Sequence, residues 1–65
     1  MEDVPISVWP QWLAQRSAYY HPDRTTASGA QVFYSRPLRM WIAATRVSPT
    51  HMRAMFSSTC PCALS

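Results

Sequence analysis

The chain has 65 residues, of which 14% are charged, against roughly 25% in an average soluble domain. Its basic residues are six arginines with no lysine, its acids number three, and the net charge is +3. So short a chain makes one small domain at most, of marginal stability unless something staples or orders it. Its two cysteines, Cys60 and Cys62, are one residue apart. A bridge between them closes almost no loop, so a disulfide scaffold is excluded. No apolar run approaches the ~20 residues needed to cross a bilayer.

Prolines divide the chain into short pieces. Residues 1–8 read as a lead, with an acidic start unlike a secretory signal. A helix is expected over 9–21, with Ser7 as its cap and Pro10 in its first turn. Trp9, Trp12, Leu13, Arg16 and Tyr20 share one face of that helix. Pro22 ends it, and 22–30, with the single glycine Gly29, reads as a loop.

Over 31–56 the sequence predicts an extended segment followed by helices. Val32, Phe33 and Tyr34 favour a strand. A second helix starts at Ser35, with Leu38, Trp41, Ile42 and Thr45 on one side. Ser48 and Pro49 signal a third helix start, with Met52, Met55 and Phe56 as its apolar edge. Residues 57–65 read as a flexible tail. The expected fold class is therefore mostly α: two or three short amphipathic helices with proline-bounded turns and one extended segment near 31–35. Such a chain is ordered by packing on a partner more than by its own core.

Charge is unevenly spread. Up to Asp23 there is one arginine against three acids, and beyond it there are five arginines and no acid. Trp, Tyr, Met and Arg are the residue types that concentrate at protein interfaces and their hot spots, whereas Lys and Glu are depleted there. A GC-rich genome, which favours arginine codons, is the alternative explanation for the absence of lysine. Direct nucleic-acid contact has its own candidates: Arg36, Arg39, Arg46 and Arg53 for phosphates, Tyr34 or Trp41 for stacking.

Tyr20-His21-Pro22-Asp23-Arg24 resembles the His-Pro-Asp signature of J-domain co-chaperones over five residues. The resemblance implies contact with a chaperone ATPase through a loop between two helices. The simpler reading of the same residues is a proline helix stop with a polar turn. The chain departs from the family in having only Arg16 on the preceding helix and Pro37 where the following helix runs.

Cys62-Ala63-Leu64-Ser65 fits the C-a-a-X pattern for prenylation, with Cys60 upstream for a second acyl chain. Cys60, Cys62, His51 and His21 do not have the spacing of a structural metal site. His51 with Cys60 is the one conceivable nucleophile–base pair, and it has no orienting acid. No cofactor, metal site or enzymatic activity is therefore expected.

The expected function is a non-catalytic accessory subunit packing on a larger protein complex through Trp9, Trp12, Tyr20, Arg39, Trp41, Ile42 and Arg46. One alternative is a small basic RNA- or DNA-associated protein. A second is a peripheral membrane protein lipidated at Cys62, membrane contact depending on that lipid. A third is the product of a short open reading frame without a selected function. The lack of a secretory signal, a membrane span and a disulfide framework favours an intracellular setting, and nothing in the sequence sets an oligomeric state.

Overall fold

The computed structural model describes residues 1–61. It corrects the mostly α expectation: the chain is a five-stranded antiparallel sheet with one short α-helix on one face. Strand β1 (Glu2–Pro5) leads through a 3-10 turn (Ile6–Val8) into α1 (Trp9–Arg16). Four strands follow as a meander: β2 (His21–Thr25), β3 (Gln31–Ser35), β4 (Met40–Arg46) and β5 (His51–Ser57). The order across the sheet is β1-β5-β4-β3-β2, so the first strand pairs with the last. The helix carries the chain from one edge of the sheet to the other.

Side chains alternate between faces along each strand. On the helix side, Val4, Phe33, Ile42, Ala44 and Ala54 are buried with Trp12, and Trp9, Leu13, Tyr20 and Met52 pack around them. Ile42 and Ala54 have no exposed surface. Trp9 and Trp12 stack with centroids 4.9 Å apart, and the Trp12 indole N–H donates to Glu2 Oε2 at 3.0 Å. That bond satisfies the one polar atom of a buried tryptophan and ties α1 to β1.

Each departure from the expected helices has a local cause. The segment at 40–46 is the central strand, covered on both faces, so Ile42, Ala43 and Ala44 are buried in succession. Double coverage erases the period-two pattern, and adjacent alanines read as helical. In β5, Met52 and Ala54 face the core while Arg53 pairs with Asp3 on the opposite face. The small Ala54 hid that alternation. Residues 22–30 are not wholly a loop, because β2 occupies one edge, where Pro22 costs no ladder bond. A bulge between Pro22 and Arg24 accommodates Asp23. The lead over 1–8 contains β1, which forms the other edge.

The expected helix over 9–21 is real but ends at Arg16, followed by a turn rather than by the proline. Ser7 does not cap it: Val8 holds the N-cap position without a side-chain hydrogen bond. His21-Pro22-Asp23 lies in an edge strand followed by further strands, so the J-domain resemblance ends at the tripeptide.

Candidate functional site

The two sheet faces differ in cover. On the face away from α1, Asp3 and Arg53 sit opposite each other on β1 and β5 and form a two-pronged ion pair. Arg53 Nε and Nη2 donate to Asp3 Oδ1 and Oδ2 at 2.8 and 3.1 Å. The hydrogen bond from Arg53 holds the Asp3 carboxyl below its ordinary range, and the same bond raises the Arg53 guanidinium. In the middle of this face, Val32 and Ala43 are almost completely buried. Beyond β5 the chain turns back, Pro61 is buried, and a hollow of about 380 Å³ forms between Cys60, Pro61, Ala43 and Met55.

Toward the β3–β4 turn, the same face carries Tyr34 and Trp41 as a cross-strand pair. Their ring centroids are 4.3 Å apart, and both rings are half-buried. Opposite-strand aromatics at this spacing contribute roughly 0.5–1.5 kcal/mol beyond their area. The turn that follows holds Arg36, Pro37, Leu38 and Arg39, all exposed, Leu38 by 53%. Neither Arg36 nor Arg39 has an acidic or hydrogen-bond partner among the described residues. The acids are committed elsewhere: Asp3 to Arg53, Glu2 to Trp12 and Asp23 to Arg24. This end of the sheet is thus aromatic and basic, with unneutralised charge.

The residues expected to bind a partner are divided by the fold. Ile42 and Trp12 are core, and Trp9 and Tyr20 pack against the core. Arg46 clasps its own hairpin, with Nε and Nη2 donating to the Ser48 and Pro49 carbonyls at 3.2 and 3.1 Å. Only Trp41 and Arg39 lie together on open surface, joined by Tyr34, Arg36 and Leu38. A register in which position 34 faces 41 supplies the missing link, and it becomes readable once 31–35 and 40–46 are taken as a hairpin. Cys62, the expected lipidation position, lies outside the described residues.

No cluster of three or more His, Cys, Asp or Glu residues able to hold a metal occurs among the described residues. The His51 ring hydrogen-bonds the Thr50 hydroxyl at 2.8 Å, and Cys60 is not a free thiol, so the conceivable nucleophile is not available as a thiolate. No helix among the described residues is long and apolar enough to cross a membrane. Compared with known protein families, curated proteins and solved structures, the chain matches none.

Proposed function

We propose that this chain is a non-catalytic contact module that docks, through the β3–β4 end of its sheet, on an acidic face of a larger protein assembly. The observation that carries the reading is the close, tilted Tyr34–Trp41 pair bordered by Arg36, Leu38 and Arg39. Aromatic and arginine side chains dominate interface hot spots because they bury large area at low entropic cost and keep directional donors. Two arginines without acids of their own are the complement of a carboxylate-rich partner surface. A forked guanidinium binds a carboxylate through two parallel hydrogen bonds, which fixes orientation as well as charge.

One observation favours a second reading. An aromatic pair on an antiparallel sheet with arginines at its border also suits a single-stranded nucleic acid, whose bases stack on rings while its phosphates meet the guanidinium groups. A photo-crosslinking side chain placed at Leu38 in the native cell separates the two. The expected result is one covalent adduct that protease digests and nuclease does not. The adduct is lost when Arg36 and Arg39 are both replaced by Ala. A nuclease-sensitive adduct establishes the second reading, and an adduct indifferent to both arginines overturns each.

A further inference from the structure

The helix is too short to roof the sheet. Eight residues span about 12 Å at the α-helical rise, while five strands spread over about 19 Å. The two tryptophans cover the β1 side, where Trp12 reaches Glu2 and Phe56. The β2–β3 side is left with a cleft of about 360 Å³ between the last turns of α1 and the sheet. Leu13 and Ala14 form its roof, Phe33 and Ile42 its floor, and Tyr20 and Pro22 also line it. Arg16 and Ser17 bring polar groups to this apolar space.

The Arg16 guanidinium is held in place from inside. It lies 3.7 Å from the Trp12 ring centroid, and its Nη1 donates to the Trp12 carbonyl at 3.1 Å. Its remaining N–H groups have no acceptor among the described residues, and no acid neutralises it. The Tyr20 hydroxyl likewise has no partner among the described residues. The site therefore combines an apolar slot, a cation fixed by stacking and one free hydroxyl.

We infer that this cleft binds a small amphipathic carboxylate, with an apolar body against Leu13, Phe33 and Ile42 and its carboxylate on Arg16. The volume falls at the small-molecule end of known ligand pockets, which span roughly 300–1,000 Å³ and are mostly apolar with a few placed polar groups. A carboxylate is the head group that matches a forked, unneutralised guanidinium. The site lies on the opposite face of the sheet from Tyr34 and Trp41, so it stands apart from the contact surface proposed above.

The test is an NMR titration of the full chain with decanoate, using 1-decanol as the headgroup control. Decanoate shifts the resonances of Leu13, Tyr20, Phe33 and Ile42 saturably and binds at least about tenfold more tightly than decanol. Ala14→Trp, at an exposed position in the roof, fills the slot and abolishes both titrations while the spectrum stays dispersed. Arg16→Gln, which keeps a planar group on Trp12, weakens decanoate about tenfold and leaves decanol unchanged. Equal affinity for the two compounds overturns the inference, as does decanoate binding that survives Ala14→Trp. Shifts of the same resonances with protein concentration alone also overturn it, because a second copy then occupies the cleft.

Discussion

At the scale of single residues, one backbone angle stands out. Arg39 closes the β3–β4 turn with φ of 52°, in the left-handed region that costs a side chain roughly 1–2 kcal/mol. Glycine removes that strain but gains about 0.5–1 kcal/mol of unfolded-state freedom. Arg39→Gly is therefore expected to stabilise the fold by up to about 1 kcal/mol in urea unfolding, while weakening the proposed partner contact. A stabilised variant with full crosslinking at position 38 removes Arg39 from the interface. In the core, Ile42 has no exposed surface, and Ile42→Val is expected to cost about 0.5–1.5 kcal/mol in the same unfolding experiment.

The Asp3–Arg53 pair makes a prediction about acid. Because the folded Asp3 carboxyl titrates below its unfolded value, its contribution is present above the unfolded pKa. That contribution is lost as pH falls through the lower, folded pKa. Wild type should lose more of its urea midpoint than Asp3→Asn on acidification through that window. The difference should shrink in high salt, since both side chains are well exposed.

At the scale of elements, the expected helix starts show what a local signal can and cannot decide. The expected second helix starts at Ser35 and the expected third is capped by Ser48, and both serines do accept backbone N–H groups in the manner of a cap. Ser35 Oγ accepts from Leu38 N–H, and Ser48 Oγ accepts from Thr50 and His51 N–H. Ser35 ends β3 at the mouth of one hairpin turn and Ser48 sits in the other, because a serine hydroxyl folding back on the next few amides serves a turn as well as a helix. The chemistry was legible, whereas the structure it belonged to depended on what followed. What followed was a pair of strands whose partners lie elsewhere in the chain. The extended segment over 31–35 and a helix beginning at Trp9 were legible because their signals are local. The clustering of Tyr34 with Trp41 depends on register, which no residue type announces by itself. Ser48→Ala deprives two amides of their acceptor and is expected to cost about 1 kcal/mol in unfolding free energy. An unchanged urea midpoint means that water replaces the hydroxyl at no cost.

At the scale of the molecule, the sheet supplies what the composition left in doubt, a core of the chain's own. The radius of gyration is 11.1 Å, close to the ~11 Å expected of a folded domain of this length. The expectation of a chain ordered chiefly by a partner predicts poor amide dispersion in isolation, whereas the buried cluster around Ile42 and Trp12 predicts a dispersed spectrum. Removing residues 1–5 strips β1 from β5, takes Val4 from the core and leaves the Trp12 indole without Glu2. That truncation is expected to collapse the dispersion, and a truncated chain with an intact spectrum shows that four strands suffice.

The pairing of β1 with β5 also orders events during synthesis. Asp3 meets Arg53 across fifty positions of chain, so the first strand has its neighbour only after β2, β3 and β4 have been translated. Until β5 emerges, β1 is an unpaired strand, and the apolar face of α1 has an incomplete sheet to rest on. The β2–β3–β4 hairpins can form as they leave the ribosome, but the barrier to the native state is crossed only once β5 has cleared the exit tunnel. Folding of the sheet thus waits for β5, and a ribosome stalled before His51 displays a nascent chain whose first strand any nearby chaperone can bind.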